Sequence, residues 1–354
     1  MGRSERPEPG EAPIRVLQSF GRPGPRTNPY IVMLGERLES TPGLELVRFS
    51  WRAALGGHYD VVHLHWPEVL LEGASPLRSA GKRVAFALLL ARLGTRCTPV
   101  VRTVHNLDLP TDLSPLDRGL LVWAERLTTV RIRLNESTPV PSQALAVTIP
   151  HGDYQDWFGR YAPSTQRQGR LAFVGLVRRY KGVERLLEAF ADTSSDRPDL
   201  TLTVSGRPST AELEADLRMR AERDPRVVLD LRFLTDAELV RAVTESSLVV
   251  LPYRFMHNSG TVLAALSLGR PVLAPRTTVN EELSSEVGAG WVHLFDGELT
   301  GQDLRNTVRR LADHPPTAPP NLTARRWDDT GSAHRDAYRL AMARARSAHP
   351  RRLR

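Results

Sequence analysis

The 354-residue sequence predicts an α/β protein built from two doubly wound parallel-sheet domains. Short apolar runs of strand length alternate with helix-length amphipathic segments, a pattern typical of a parallel sheet covered by helices. The length is sufficient for two domains with separate hydrophobic cores. The stretch GRYAPSTQRQG, residues 159–169, is rich in glycine, proline and polar residues, and it places the boundary near residue 160.

The first half begins with a leader and then enters the alternating pattern. Residues 1–12, rich in Glu, Arg, Pro and Gly, are predicted to be disordered. A strand is predicted from Ile14 to Phe20, and a helix begins at Asn28 and Pro29, a cap followed by a proline at the first helical position. Strands are then expected at 44–49, 60–65, 99–104 and 144–149.

Two histidines, His63 and His65, alternate onto one face of the strand DVVHLH, and Glu68 follows it. A His-x-His pair near a carboxylate is compatible with zinc. No further clustered ligands follow, so we expect no metal site. A polar site at the carboxyl end of a parallel strand is the better interpretation, because ligands bind there in open α/β sheets.

His105 directly follows the strand at 99–104 and is the foremost candidate for a general base in this half. Imidazole titrates near neutral pH, which suits proton transfer from a hydroxyl group. A structural histidine bonded to the backbone is the alternative. The carboxylates of Glu68, Asp108 and Asp112 are further candidates for the base.

The second half opens with LAFVGLVRRYKGVERLLEAF, residues 171–190. A buried strand, a glycine-containing basic loop and a helix N-terminus together form an anion site, because backbone N–H groups, the helix dipole and cationic side chains converge there. An ordinary strand–helix crossover with a solvated basic loop is the alternative.

The sequence GLVRRYKGVERLLEAF resembles the diphosphate-binding loop of nucleotide-sugar glycosyltransferases with the GT-B fold, family four and its relatives. Their common form reads GRL, a short spacer, then KG and an amphipathic helix. Gly175, Lys181 and Gly182 match that form. Leu176 replaces the usual arginine, and Arg178 is the expected substitute.

A second resemblance lies in YRFMHNSGTVLAALSLGRPVLAP, residues 253–275, whose ending matches the family's AxGxPV. The two glutamates that the family usually carries upstream are replaced by Met256 and Ala264. The resemblance leaves the helix-start sequence NSGT as the cradle of the β-phosphate: Asn258, Ser259, Gly260 and Thr261. This departure indicates a divergent branch that resembles GDP-mannose:glycolipid β-1,4-mannosyltransferases.

The resemblance implies further donor contacts. Gly206 follows a predicted strand, Arg232 and Phe233 lie in the segment that holds the nucleotide base, and Glu282 is the candidate ribose ligand. The implied architecture is two Rossmann-like domains facing across a cleft. Residues 13–160 form the acceptor-side domain, residues 161–328 the nucleotide-sugar domain, and residues 329–354 a C-terminal helix that returns to the first domain with a basic tail.

The implied function is sugar transfer from a nucleoside diphosphate, with GDP-mannose as the expected donor, to a hydroxyl of a glycan or lipid-linked saccharide. No metal or other cofactor is expected, because Arg178 and Lys181 supply the charge that neutralises a leaving diphosphate. Two alternatives remain open. One is a nucleotide-sugar epimerase of the same fold, and the other is a non-catalytic member that binds a glycan or a protein partner.

Charge and composition bear on the partners. The formal net charge is +8, and every charge between Glu72 and Asp108 is positive. Within that region VAFALLLARL, residues 84–93, packs against either a core or an anionic membrane surface. No aromatic-interleaved basic strand or recognition-helix signature is found, so nucleic acid is not an expected partner.

The expected location is the cytoplasm, with peripheral attachment to the inner face of the plasma membrane left open. Cys97 is the single cysteine of the sequence, which excludes internal disulfides and fits a reducing compartment. The sequence has no apolar run typical of a signal peptide or of a spanning helix, which needs roughly 20 apolar residues.

Overall fold

The structure is a computed structural model that describes residues 12–107 and 113–348. Residues 1–11 of the predicted leader, the candidate carboxylates Asp108 and Asp112, and the last six residues of the basic tail lie outside the described residues.

The chain divides into two compact units. The first runs to Gly152 and resumes at Arg326, and the second comprises Asp153–Arg325. The bounds of these compact units lie a few residues before the boundary predicted near residue 160 and before the return predicted at residue 329.

The physical reason lies in the packing of the short segment after Gly152. The Tyr154 N–H donates to Ser267 Oγ at 2.9 Å, and Trp157 Nε1–H donates to an Asp236 carboxylate oxygen at 3.0 Å. These bonds hold the segment in the second unit before the glycine- and proline-rich stretch that suggested the boundary.

The first unit is a six-stranded sheet with helices between its strands. Its elements in chain order are β1 (Ile14–Gln18), α1 (Pro29–Glu39), β2 (Leu44–Val47), α2 (Trp51–Gly56), β3 (Val61–Leu64), a 3₁₀ turn (Pro67–Leu70), α3 (Pro76–Arg96), β4 (Val100–Val104), α4 (Pro115–Leu127), β5 (Thr128–Arg133) and β6 (Ala146–Thr148).

All neighbouring strands of this sheet are parallel, in the order β2-β1-β3-β4-β5-β6. The order changes direction between β1 and β3, so the connections that leave these two strands diverge. A crevice forms at such a switch point, outside the carboxyl ends of the two strands.

Helix α3 illustrates how the sequence specifies these elements. Ser75 caps it by accepting a hydrogen bond from the Arg78 N–H, and proline occupies the first turn. Phe86, Leu89 and Leu93 recur at helical spacing and are buried in the core. The apolar run predicted to face either a core or a membrane therefore packs at least one face on the core.

The second unit is another six-stranded parallel sheet. Its elements in chain order are α5 (Gln155–Phe158), β7 (Arg170–Val174), a 3₁₀ turn (Arg179–Lys181), α6 (Val183–Ala191), β8 (Thr201–Ser205), α7 (Ala211–Ala221), β9 (Val227–Asp230), α8 (Asp236–Glu245), β10 (Leu248–Val250), α9 (Gly260–Ser267), β11 (Val272–Pro275), α10 (Thr278–Val287), β12 (Val292–Phe295), α11 (Gly301–Asp313) and a 3₁₀ turn (Thr323–Arg325).

The strand order of this second sheet is β12-β11-β10-β7-β8-β9. Counted from β7, this is the Rossmann order, in which the direction changes between the first and fourth strands. The loops that follow β7 and β10 therefore border a crevice, and these loops carry the two motifs singled out from the sequence. The predicted pair of doubly wound parallel sheets is confirmed.

Helix α12 (Thr330–Ala348) completes the first unit, where it packs against α1 and strands β3, β4 and β5. Gly331 allows the close approach, because a methyl group on its Cα would lie 1.9 Å from Thr41 Oγ1. Tyr338 on the same face is fully buried. The helix thereby places C-terminal side chains beside the strands of the first sheet.

Among the described residues, no helix combines the length and the apolar character that crossing a bilayer requires.

Gly206→Ala should destabilise the second unit more than a comparable change at a glycine with open space around it. A methyl group there would lie 1.8 Å from the Gly175 carbonyl oxygen, and the backbone φ is +148°. We expect a loss of about 2–4 kcal/mol in the free energy of unfolding, measured with urea, from overpacking and backbone strain.

Gly297→Ala is the matched control, because its φ is +67° but nothing lies within 4 Å of the added methyl group. Strain alone should cost about 1–2 kcal/mol. Equal losses in the two variants would contradict the close approach of Gly206 to Gly175.

Candidate active site

The first half-site lies at the switch point between β1 and β3. His65 and Trp66 follow β3, and the His65 N–H donates to Ser19 Oγ, just after β1, at 2.9 Å. His105 follows β4, the next strand in the sheet. Strand ends therefore bring together side chains that are far apart in sequence.

His105 is buried among aromatic rings. Its ring stacks on that of Trp66 with a centroid separation of 3.8 Å, and the edge of Tyr30 approaches at 5.5 Å. Its Nε2 lies 3.2 Å from His65 Nδ1. Stacking and hydrogen bonding fix the plane and the direction of the imidazole, as a positioned base requires.

Burial favours the neutral form of His105, His65 and His334. Burial lowers the pKa of His105 well below its usual range, and His65, His151 and Arg102 lower it further. Burial likewise lowers the pKa of His65 to about 3 and that of His334 to about 4. A neutral imidazole retains a lone pair that can accept a proton.

Glu68 lies in the 3₁₀ turn that begins one residue after Trp66. Burial raises the pKa of its carboxyl group, and the charge of Arg102 opposes that effect. A carboxylate with a raised pKa is a stronger base than an exposed one, so Glu68 remains a candidate beside His105.

The histidine pair considered for zinc is engaged in other bonds. His63 Nδ1 lies 2.9 Å from the Tyr338 hydroxyl and its Nε2 lies 2.8 Å from Thr103 Oγ1. In residues 12–107 and 113–348, no three His, Cys, Asp or Glu side chains are placed to share a metal ion.

The second half-site is built on the loop after β7. Gly175 has a φ of +115°, and its N–H donates to the Ser205 carbonyl at 3.0 Å. A methyl group on Gly175 would lie 3.6 Å from both Lys181 Nζ and Thr261 Oγ1. These two polar atoms therefore border the space above Gly175.

Lys181 is the most informative residue of this half-site. Its side chain is 9% exposed, and Nζ lies 5.0 Å from the centroid of the Tyr253 ring. Over the described part of the chain, Lys181 forms no ion pair. A buried cation without a carboxylate is costly, and a bound anion would compensate for that cost.

Gly182 lets the loops after β7 and β10 approach each other closely. Gly182 has a φ of +65°, and a methyl group there would lie 2.2 Å from the Pro252 carbonyl oxygen. The Arg254 N–H donates to the Tyr180 carbonyl at 2.9 Å. Both motifs found in the sequence thus belong to one structural unit.

Helix α9 begins at Gly260 beside this loop pair, and no described side chain caps it at Ser259. The first N–H groups of a helix have no intrahelical partner, so this terminus offers donors to an anion. Thr261 Oγ1 adds a hydroxyl 3.5 Å from the Tyr253 hydroxyl. Asn258 directly precedes this group of donors.

The remaining predicted donor residues are placed as follows. Arg178 is exposed on the loop after β7, and Gly206 lies behind Gly175 after β8. Arg232 pairs with Asp230 at 2.9 Å and with Glu238 at 2.7 Å, which restricts its side chain. Phe233 and Glu282 are exposed.

Sequence reasoning did not select several residues of the first half-site as functional: Gln18, Tyr30, Trp66, His151, Trp327, His334 and Tyr338. The Tyr30 ring lies 4.4 Å from that of His151 and 5.7 Å from that of Trp327. A histidine in the Pro-His-Gly sequence at 150–152 was the one available signal. Tyr30 is contributed by α1, and His334 and Tyr338 by α12. Gln18 ends β1, Trp66 follows β3 and Trp327 precedes α12, and no local pattern reveals that these positions meet.

The comparison with known proteins agrees with this geometry. A family model described as "Glycosyl transferases group 1" matches residues 168–313, which include both loops of the second half-site. A GDP-mannose:glycolipid 4-beta-D-mannosyltransferase of Xanthomonas campestris pv. campestris is 41% identical over 331 residues, covering 94% of this chain and 93% of the relative. A second sequence of that name from the same organism is 40% identical over the same length.

The chain belongs to the group 1 glycosyltransferases.

Solved structures support the GT-B fold of this glycosyltransferase. HepE of Anabaena in complex with UDP-glucose aligns over 95% of this chain and 100% of its own, with a TM-score of 0.59 and 14% identity. The catalytic domain of starch synthase IV from Arabidopsis thaliana, bound to ADP and acarbose, aligns over 94% and 99%, with a TM-score of 0.61 and 10% identity. The resemblance stated from the sequence is confirmed.

Acidification should destabilise the first unit of this glycosyltransferase. His65 and His334 stay neutral in the folded state, whereas in the unfolded chain they take up a proton below their ordinary pKa of 6.5. Stability should therefore be constant above about pH 7 and fall as the pH decreases from about 6.5 toward 4. At pH 5 each of these two histidines should cost about 2 kcal/mol.

Urea unfolding at pH 7.5 and pH 5 tests this expectation. His334→Gln should reduce the difference between the two pH values by about 2 kcal/mol, the share of one histidine. His58→Gln, which changes an exposed histidine of the same unit, is the control and should behave as the wild type. An unchanged pH dependence in His334→Gln would show that burial of His334 does not govern acid stability.

Proposed function

We propose that this glycosyltransferase moves mannose from GDP-mannose to a hydroxyl of a glycolipid, and that it needs no metal ion to do so. The observation that carries the proposal is Lys181, which is buried beside Gly175 and Thr261 and forms no ion pair with any described residue. Relatives with that activity in their name match 94% of the chain, which supports this choice of donor and acceptor over an epimerase or a non-catalytic binding protein.

The second unit would bind the donor diphosphate. Lys181 and Arg178 supply two positive charges, and the start of α9 supplies backbone donors and the Thr261 hydroxyl. Such groups stabilise the negative charge that develops as the bond between C1 of mannose and the β-phosphate oxygen breaks. This neutralisation by protein groups supports the metal-independent form of the proposal.

The first unit would supply the base. A β-linked product from the α-linked mannose of GDP-mannose requires inversion at C1, and a single displacement achieves it. The acceptor oxygen forms a bond to C1, its proton passes to the base, and GDP leaves. His105 is the proposed base because its imidazole is neutral and held by Trp66 and His65, while Glu68, Asp108 and Asp112 are the alternatives.

Lys181→Ala should reduce kcat/KM for mannosyl transfer from GDP-mannose about 10²–10³-fold, since one preorganised charge would be lost.

The wild type should also be stabilised by GDP, and not by UDP, ADP or dTDP. GDP at 100 times its Kd should add about 2.7 kcal/mol to the free energy of unfolding, with or without EDTA.

Arg179→Ala is the matched control on the same loop, because Arg179 is exposed and pairs with Glu184 at 3.5 Å. It should retain near wild-type transfer. Wild-type turnover in Lys181→Ala would refute the phosphate assignment. Conversion of GDP-mannose to an isomeric nucleotide sugar would favour the epimerase. Binding of GDP without any turnover of GDP-mannose would favour the non-catalytic protein.

The proposal also includes peripheral attachment to an anionic membrane, where a glycolipid resides. The outward sides of α3 and α4 carry exposed apolar residues beside basic ones. Leu77, Val84 and Leu88 of α3 are 83%, 61% and 55% exposed. A bidentate pair between Arg83 and Asp117 joins the two helices at 2.6 and 2.8 Å.

This surface, the α3–α4 face, comprises Leu77, Arg78, Val84, Leu88, Leu116, Arg118 and Trp123. Exposed leucines, a tryptophan and arginines together are typical of a surface that lies in the headgroup region of a bilayer. The acidic side chain between the helices, Asp117, is neutralised by Arg83. The remaining positive charge of this face complements anionic lipid headgroups, which we therefore propose as its partner. The proposal also places the protein on the cytoplasmic side of the membrane.

Replacing Leu77, Val84 and Leu88 together with serine should weaken flotation with vesicles of phosphatidylglycerol and phosphatidylcholine. We expect at least a tenfold weaker partition coefficient, since each buried side chain contributes about 1.5 kcal/mol or more. Val228→Ser is the control, because Val228 is a similarly exposed residue of β9. Equal flotation of all three proteins would contradict the α3–α4 face as the membrane surface.

A further inference from the structure

Six buried side chains of the first unit form a continuous row of hydrogen bonds. His105 Nε2 lies 3.2 Å from His65 Nδ1, and His65 Nε2 lies 3.3 Å from Gln18 Oε1. The row continues from Gln18 Nε2 to the Tyr338 hydroxyl at 3.1 Å, then to His63 Nδ1 at 2.9 Å. It ends at Thr103 Oγ1, 2.8 Å from His63 Nε2.

Gln18 determines the direction of this row. Its amide oxygen can only accept, so His65 Nε2 must carry a proton, and its amide nitrogen can only donate, so the Tyr338 oxygen accepts. A neutral imidazole has one donor and one acceptor nitrogen. His65 Nδ1 must then accept from His105 Nε2–H. At the other end, the Tyr338 hydroxyl donates to His63 Nδ1.

The row therefore runs in one direction, from His105 through His65, Gln18, Tyr338 and His63 to Thr103. All three histidines are Nε2–H tautomers. The opposite direction would require the Gln18 amide to be turned and three Nδ1–H tautomers. The Nε2–H form is intrinsically the more stable tautomer of the neutral histidine side chain, and aligned hydrogen bonds polarise one another, so the first direction is favoured.

We infer that Gln18, His65 and Tyr338 are positioning residues that hold His105 as the Nε2–H tautomer and keep its lone pair on Nδ1. This inference rests on the proposed function, in which His105 takes the proton of the acceptor hydroxyl. The proton would pass to Nδ1 while Nε2–H stays bonded to His65. The structure of the row itself is independent of that role.

Charged or titratable groups around the pair come from several elements. Those facing His105 and His65 are His63 on β3, Arg102 on β4, His151 after β6, His334 and Tyr338 on α12, and Tyr30 on α1. No carboxylate is among them in the described chain. A carboxylate introduced into the row would therefore be its first acidic member.

The first experiment reads the tautomers directly. Multiple-bond ¹⁵N–¹H spectra of the full-length protein labelled at histidine, at pH 7.5, should show His105 as Nε2–H, with its signals assigned from His105→Gln. Thr103→Val, at the far end of the row, should leave that tautomer unchanged. In Gln18→Leu, the His105 signals should show a mixture of tautomers. A wild-type His105 in the Nδ1–H form would overturn the inference.

The second experiment tests the consequence for transfer. Gln18→Glu keeps the acceptor for His65 Nε2–H and adds a negative charge, which stabilises the imidazolium form of the His65–His105 pair. The acid limb of the pH profile of kcat/KM should therefore move to higher pH. A merely structural effect of the substitution would lower the active fraction without moving the limb, and an unmoved limb would overturn the positioning role.

Tyr338→Phe removes the acceptor for Gln18 and the donor to His63. We expect kcat to fall at least tenfold, within the 10²–10⁴-fold that general base catalysis contributes, with the KM for GDP-mannose unchanged. Retained kcat in Tyr338→Phe would count against the inference. Retained transfer in His105→Gln, with the Nε2–H tautomer still observed in the wild type, would instead refute the proposed base.

Discussion

Both half-sites depend on one topological constraint, the change of direction in the strand order of a parallel sheet. Helices that leave adjacent strands on opposite sides of the sheet cannot cover the ends of both strands, so a crevice remains at their carboxyl ends. In the first sheet this occurs between β1 and β3, and in the second between β7 and β10. The chemistry-bearing side chains are found at these two places.

The two crevices meet the cost of buried polar groups in different ways. In the first unit, burial favours the neutral form of the histidines. Their ring nitrogens form hydrogen bonds within a row that includes Gln18, Thr103 and Tyr338. In the second unit, Lys181 lies buried without an ion-pair partner among the described residues. In the proposed reaction, the neutral histidines would serve proton transfer, and the cation of Lys181 would stabilise the diphosphate.

Much of the fold was predictable because it is specified by local patterns. Asn28 caps a helix as expected. Thr235 caps α8, where Thr235 and Glu238 form a reciprocal capping box. Gly175 and Gly182 were predicted from their match to the family's loop motif, and their φ values of +115° and +65° explain why glycine stands at both positions. Signals of this kind need only a few neighbouring residues, and they were sufficient to identify the family.

The domain boundary and much of the first half-site were not predictable, because both depend on contacts over long sequence separations. The boundary is set by hydrogen bonds from Tyr154 and Trp157 to distant parts of the second unit. Composition alone indicated residues 159–169 instead, because that stretch is rich in glycine, proline and polar residues. The row around His105 joins β1, β3, β4 and α12. No pattern near Gln18 or near Tyr338 indicates that these two side chains meet.

The participation of α12 explains why the chain must return to the first unit. Without Tyr338, the Gln18 amide would lack its acceptor and His63 would lack its donor, leaving polar groups buried in a core that water does not reach. Gly331 lets the helix approach α1 closely, since a methyl group there would collide with Thr41. The C-terminal helix is therefore part of the polar interior of the first half-site, and its packing fixes the hydrogen-bond direction on which the proposed role of His105 depends.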